Sequence, residues 1–259
     1  MNYLSNGGGP YRGPFFMDTL SIVNPFNANV YFVKETSSTM EDIKSLENPD
    51  NGTIVTAAYQ RSGRGRIPGR TWIGDRTSGL YFSIFLDSST FAFPLSSLSA
   101  RTGFAVAGFL NKEFGLNVKV KWPNDALIGG KKIAGILAEA NKNKVALGIG
   151  INCMRKDFGE LNDKATSIFL ETGSKMTPVK CLENFLPYLY SAIVYPIELD
   201  EHKNLIYKFG SVISIRTGDP ESGELLSGKV AGMNKDGALI LETPEGVRLV
   251  YSGESVQSP

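Results

Sequence analysis

Residues 60–72 read QRSGRGRIPGRTW, a run in which arginine and glycine alternate closely enough to hold an anion. Glycine lets backbone N–H groups approach a phosphate, and Gly63, Gly65 and Gly69 supply it here. The guanidinium groups of Arg61, Arg64, Arg66 and Arg70 offer planar forks of donors that match phosphate or carboxylate. Such a segment suits a loop that closes over a phosphate-bearing ligand. A solvated basic loop, or one touching nucleic acid, has the same composition. The run is neither a Walker loop nor a Rossmann glycine fingerprint. Trp72 fits stacking on a purine or a place in a core equally well.

Residues 121–139, KWPNDALIGGKKIAGILAE, form a second group. Pro123 lacks an N–H and should end a strand, which leaves Asn124 and Asp125 at its end. There Asp125 could hold Mg²⁺ beside a nucleotide, and Asn124 could bond a phosphate or ribose. By residue type alone, an Asx-turn that satisfies local backbone is the better reading. Lys131 and Lys132 are either solvated at a hairpin end or turned inward to a carboxylate or phosphate. Strict alternation puts Lys132 on the face of Ala134 and Ile136. Gly135 would admit a ligand or another backbone at close range. Asn152 closes GIGIN at residues 148–152, as a turn former or as a reach into the same site.

The elements that must carry these residues follow from periodicity. Strands are expected over residues 30–33, 53–59, 80–86, 118–122, 132–138 and 144–151. A helix is expected over residues 38–46, opened by Ser/Thr caps with Glu41 and Asp42 in its first turn. Further helices are expected over residues 95–114, 178–190 and 199–207, and Gly129–Gly130 marks a hairpin turn. After Gly210 short strands recur at residues 212–216, 226–233, 238–242 and 247–251, divided by turn sequences. This is the pattern of a small barrel of about 45–50 residues. A domain boundary is therefore placed near Phe209, and residues 1–30 are read as a flexible extension.

Bulk composition removes several classes. Hydrophobic residues are 42 % of the 259, enough for a packed core, and no run is long enough to span a membrane. A single histidine, His202, argues against His-based metal sites and His triads. Cys153 and Cys181 form no framework, which fits a reduced, cytoplasmic protein. The net charge of +1 gives no overall case for nucleic-acid binding.

Taken together, GRGR at residues 63–66 with Trp72, KWPND at 121–125, KKIAGILAE at 131–139, GIGIN at 148–152, ATSI at 165–168 and the Ser38–Thr39 pair resemble the biotin–protein ligases in order and spacing. The resemblance runs from Tyr31 into the C-terminal strands. It implies an α+β fold: a catalytic domain over residues 31–209 of the class II aminoacyl-tRNA synthetase and lipoate ligase type, with a mixed sheet flanked by helices, then an SH3-like barrel over residues 210–259. It implies that Ser38, Thr39 and Gln60 line the biotin pocket, with Met40 standing where relatives often carry Asn, and that Gly135 borders it. Arg64, Gly65 and Arg66 would fold over biotin and its adenylate. Lys132 would contact the biotin carboxylate, and with Arg66 would carry catalysis. Arg64, Arg70, Trp72, Asn124, Asp125 and Asn152 would serve ATP, Asp125 also Mg²⁺. The loop after Arg66 is longer than the family form by Pro68.

The implied activity uses ATP and biotin as substrates with Mg²⁺, forms biotinyl-5′-AMP, and passes biotin to a lysine of a biotin carboxyl carrier protein of acetyl-CoA carboxylase or another biotin-dependent carboxylase. Monomer and homodimer both occur among relatives. The residues before Tyr31 do not suit the helix-turn-helix that some relatives use as repressors. Alternatives are a lipoate–protein ligase and a biotin-binding regulator without ligase activity.

Overall fold

The computed structural model describes residues 17–67, 69–72, 74–218 and 222–256. In chain order the elements are β1 (Asp18–Thr19), β2 (Val30–Val33), α1 (Thr39–Ser45), β3 (Ile54–Ala57), β4 (Gly63–Arg64), β5 (Thr71–Trp72), β6 (Gly79–Asp87), α2 (Leu98–Phe114), β7 (Lys119–Lys121), β8 (Asp125–Ile128), β9 (Lys131–Asn141), β10 (Lys144–Asn152), α3 (Ile168–Thr172), α4 (Pro178–Val194), β11 (Val212–Thr217), β12 (Leu225–Met233), β13 (Leu239–Thr243), β14 (Gly246–Val250) and β15 (Gly253–Val256). Packing divides the chain into two units. The first holds the described residues through Ser89 with Leu137–Gly159 and Thr166–Pro187; the second holds Thr90–Ile136, Glu160–Ala165 and the described residues from Tyr188 on.

In the first unit the sheet order is β1-β2-β3-β6-β10. Strands β2 and β3 run parallel, while β3–β6 and β6–β10 are antiparallel, so the sheet is mixed. Strand β6 (GLYFSIFLD) lies between two neighbours and is buried along most of its length. On one face Leu80, Phe82, Ile84 and Leu86 are buried, and Phe185 of α4 packs edge-on against Phe82 at 6.2 Å. Tyr81, Ser83 and Phe85 share the other face with their β10 partners Gly150, Gly148 and Ala146. Helix α1 packs over that face through buried Met40 and Ile43.

Residues within the expected extension take part in the sheet of the first unit. Asp18 and Thr19 pair with β2, and the Asn24 amide donates to Gly52 O at 3.0 Å. The rest of the expected extension, residues 1–16, lies outside the described residues, as does Pro68.

In the second unit β7, β8 and the start of β9 form an antiparallel run. Its β8–β9 turn is Gly129–Gly130, both at positive φ (56° and 85°), as a two-residue hairpin turn demands. Helix α2 ends at Gly115, left-handed at φ 66°. The C-terminal strands form an antiparallel sheet in the order β14-β13-β12-β11-β15. Its fifth strand, β15, was not expected from the sequence. The expected helix over residues 199–207 is a 3-10 segment, Leu199–Leu205, interrupted by non-helical His202. That histidine stacks on Phe104 at 5.2 Å, a packing role. Trp122 Nε1 donates to Gly237 O at 3.0 Å, tying the KWPND strand to a turn of the C-terminal sheet.

Candidate active site

Helix α1 starts where the sequence places it. Ser38 is extended, and its Oγ accepts from Met40 N at 3.3 Å, satisfying one of the unpaired N–H groups of the first turn. This cap brings Thr39 over the sheet, where its N and Oγ1 both donate to Gln60 Oε1, at 2.8 and 3.0 Å. Thr39 Oγ1 also lies 2.9 Å from Ser83 Oγ. Ser38, Thr39, Gln60 and Ser83 are all buried. The structure thus brings together three expected pocket residues and adds Ser83, which no motif marked.

The two glycines of GIGIN explain themselves on this floor. A β-carbon on Gly148 would sit 2.7 Å from Met40 Sδ, and one on Gly150 would sit 2.8 Å from Trp72 Cε2. Met40 is buried in the core cluster with Val33, Ile43 and Val55. The indole of Trp72, half-buried on β5, fills the space that a side chain at position 150 of β10 would need.

The Gly/Arg loop is a short hairpin. Gly63 pairs with Trp72 and Arg64 with Thr71, and Gly65 N donates to Arg70 O at 2.9 Å. A β-carbon on Gly65 would fall 2.7 Å from that carbonyl, so glycine is required. Arg66 and Arg70 are exposed. Arg64, also exposed, ion-pairs with Glu41 of α1 and lies 3.7 Å from Glu139. Lys44 bridges the same carboxylates at 3.0 and 2.9 Å. Lys44 holds the Glu41 carboxyl below its ordinary range, with Arg64 adding to the effect.

In the second unit, Lys132 Nζ lies 2.6 Å from Asp125 Oδ1. The expected face of Lys132 is corrected here. A register shift on β9 pairs Ala126 with Ala134 but Leu127 with Lys132, leaving Ile133 as the extra residue of a bulge. Alternation is reset by one. Lys132 therefore shares the face of Gly135 and Asp125, not that of Ala134 and Ile136.

Asn124 follows the bland expectation: its Nδ2 donates to Ile136 O at 3.1 Å, while Ile136 N donates to Asn124 O at 2.9 Å. In the first unit, buried Asn152 donates through Nδ2 to Thr166 O at 2.9 Å. Both amides thus brace backbone at the ends of site strands.

Residues 30–155 match the model of the biotin/lipoate A/B protein ligase family, and residues 210–254 that of the biotin protein ligase C-terminal domain. A biotin–[acetyl-CoA-carboxylase] ligase of Paracoccus denitrificans is 30 % identical, over 84 % of this chain and 95 % of its own. This chain belongs to the biotin protein ligase family. A second family member, the bifunctional ligase/repressor BirA of Bacillus subtilis, is 31 % identical over 84 % of this chain and 70 % of its own. Among solved structures, the biotin protein ligase of Aquifex aeolicus in complex with biotin and ATP superposes with a TM-score of 0.74 at 29 % identity, covering 88 % of this chain and 97 % of that one. The family fold accounts for the mixed sheet of the first unit and the small antiparallel sheet at the C-terminus.

Among the described residues no three His, Cys, Asp or Glu side chains converge to hold a metal, and the Asp125 carboxylate is already engaged by Lys132. Asp125, the residue that the resemblance assigns to Mg²⁺, forms that ion pair in this structure. No helix among the described residues is long and apolar enough to cross a membrane.

Sequence reasoning missed Ser83, Lys44, Glu139 and the pairing of Arg64 with Glu41. The Lys132–Asp125 pair did have a signal: a two-residue Gly129–Gly130 turn sets residues 125 and 132 near one another across a hairpin.

Proposed function

We propose that this protein activates biotin with ATP as biotinyl-5′-AMP and then transfers biotin to a lysine of a biotin carboxyl carrier domain. The observation that carries the reading is the orientation of Gln60. Its Oε1 accepts two bonds from Thr39, so the group left for a ligand is the Nε2 donor. A donor is what the carbonyl of a cyclic urea requires. The dithiolane ring of lipoate offers no such acceptor, which favours biotin over lipoate. The near-neutral net charge gives no support to a regulator that touches nucleic acid.

Chemistry follows from charge placement. A biotin carboxylate oxygen attacks the α-phosphorus of ATP, the bond from that phosphorus to the bridging oxygen breaks, and pyrophosphate leaves. Lys132 binds the carboxylate and afterwards the acyl or phosphate oxygen of the adenylate. Arg66 neutralises charge that develops on the phosphate. Both act by electrostatic stabilisation and not as acids or bases. Ser38, Thr39, Met40 and Gln60 hold the biotin ring system, and Gly135 leaves its acyl end room. Arg64, Gly65 and Arg66 close over the adenylate and exclude water. Arg64, Arg70, Trp72, Asn124, Asp125 and Asn152 serve the ATP end, Trp72 as the surface for adenine. Magnesium arrives as the counter-ion of ATP, and Asp125 is the residue that would hold it, supplying charge neutralisation at the phosphates. In the second half-reaction the carrier's lysine nitrogen attacks the acyl carbon, the anhydride C–O bond breaks, AMP leaves, and the ammonium proton passes to solvent.

The same reading assigns residues 31–209 to a catalytic domain of the class II aminoacyl-tRNA synthetase type and residues 210–259 to an SH3-like barrel. It places the enzyme in the cytoplasm, with an acetyl-CoA carboxylase or similar enzyme as the source of the carrier.

Exchange of labelled pyrophosphate into ATP tests the first half-reaction. Exchange should require biotin, should not occur with lipoate, and should fall by at least about a hundredfold in Lys132→Ala. Exchange that proceeds equally with lipoate would overturn the substrate assignment.

A further inference from the structure

Ser83 is fully buried in the middle of β6, opposite Gly148, and lies in none of the segments that carry the family resemblance. Its hydroxyl has one described partner, Thr39 Oγ1 at 2.9 Å, and the distance alone leaves the donor open. The surrounding bonds close that choice. Thr39 N–H fixes the Gln60 amide with Oε1 toward Thr39, because the reverse orientation would set two donors against each other. Thr39 Oγ1 is 3.0 Å from that same Oε1 and must spend its one proton there. The proton between the two hydroxyls therefore comes from Ser83. The relay runs from Ser83 to Thr39 to Gln60.

This direction has a consequence for recognition. Gln60 Nε2 donates to no described residue and is not sealed from solvent, so it remains a donor. Thr39 Oγ1, its proton committed and one lone pair taken by Ser83, keeps one lone pair as an acceptor. The floor thus presents a donor beside an acceptor, the complement of a urea C=O beside its N–H. Were the Ser83 proton missing, Thr39 could turn its hydroxyl away from Gln60 and the amide would lose one of its two anchors.

We infer that Ser83 is a positioning residue for substrate recognition: it fixes the hydrogen-bond direction of the Thr39–Gln60 pair and so makes the pocket read a cyclic urea. It acts through Thr39 and does not touch the substrate. The inference rests on the biotin ligase reading above.

The test is steady-state pyrophosphate exchange by the full chain carrying Ser83→Ala or Ser83→Cys, with melting temperatures recorded alongside. Ser83→Ala should raise KM for biotin about tenfold, the effect of one lost hydrogen bond, while KM for ATP stays within about twofold of wild type. Ser83→Cys keeps the size and a weak donor, and should restore part of the loss. An unchanged KM for biotin in Ser83→Ala would overturn the role. So would equal rises in both KM values together with a lowered melting temperature, which would mark Ser83 as structural only. If Ser83→Ala does not fold, Ser83→Cys decides alone: a selective rise in KM for biotin supports the relay and wild-type values refute it. Wild-type protein that fails to exchange with biotin would sink the functional reading itself, an outcome distinct from an active wild type beside an indifferent variant.

Discussion

Gly150 has no side chain because the Trp72 indole occupies the space that one would fill, with Cε2 and Cζ2 at 2.8 and 2.9 Å from an added β-carbon. Gly150→Ala should displace the indole. If Trp72 serves adenine, KM for ATP should rise roughly tenfold in that variant, an effect of the size of a weakened stacking contact, while KM for biotin changes little. A shift in tryptophan emission without any change in KM for ATP would remove Trp72 from the nucleotide site. Asp42 makes a second residue-scale case. It is buried on α1, Thr36 Oγ1 donates to its Oδ1 at 2.9 Å, and Oδ2 has no partner among the described residues. Burial pushes its carboxyl above the ordinary value of 3.8, the Thr36 bond opposes this, and neighbouring Glu41 adds to it. A carboxyl with a raised folded-state pKa binds more protons when folded, so its cost is absent below the unfolded pKa and grows as pH rises through the folded one. The melting temperature of wild type relative to Asp42→Asn should therefore fall as pH climbs from 3.8 toward the raised value. Parallel melting profiles would contradict the assignment. Ser83 shows why some site residues were not legible: alternation sets it with Tyr81 and Phe85, and a lone serine in a strand reads as a solvent-facing position until a helix is known to cover that face.

Elements were read best where local rules decide them. VYFV at Val30–Val33, the Ser38 cap and the glycine turn at 129–130 all form by chemistry within a few residues. Strand β9 was read correctly as a strand but its face was not, because alternation assumes an unbroken register and the bulge at Ile133 breaks it. Strand β15 (GESV) has too little apolar patterning to announce itself, and it exists because β11 offers an edge. The β4–β5 hairpin is held at its base by the pairs of Arg64 and Lys44 with Glu41 and Glu139, all partly exposed. Exposed pairs are individually weak, so this is a loose latch. Glu41→Gln combined with Glu139→Gln should speed tryptic cleavage within residues 64–70 by roughly two- to fivefold at low salt, with the difference shrinking at high salt. Equal cleavage at low salt would show that the carboxylates do not restrain the hairpin.

At the scale of the whole molecule, the chain repeats the family's architecture along most of its length, as the coverage of the Paracoccus and Aquifex proteins indicates. The change in composition after Gly210 coincides with the start of the C-terminal family match at residue 210. What composition does not carry is the packing that fixes it, such as the Trp122 bond to Gly237, which joins residues far apart in sequence. Ligand linkage gives a measurable consequence. Biotin with ATP at about 100 times the dissociation constant should stabilise the fold by about 2.7 kcal/mol, read as a rise in melting temperature that either lipoate or Lys132→Ala abolishes. No rise with biotin and ATP would argue against a preformed site.

The most direct measurement is the mass of the carrier. The purified protein is incubated with ATP, Mg²⁺, biotin and a biotin carboxyl carrier domain, in parallel with a reaction that holds lipoate. A gain equal to one biotinyl group, dependent on ATP and absent with lipoate, is the result expected of a biotin ligase. An unmodified carrier, when the same preparation accepts biotin from a proven ligase, would contradict it.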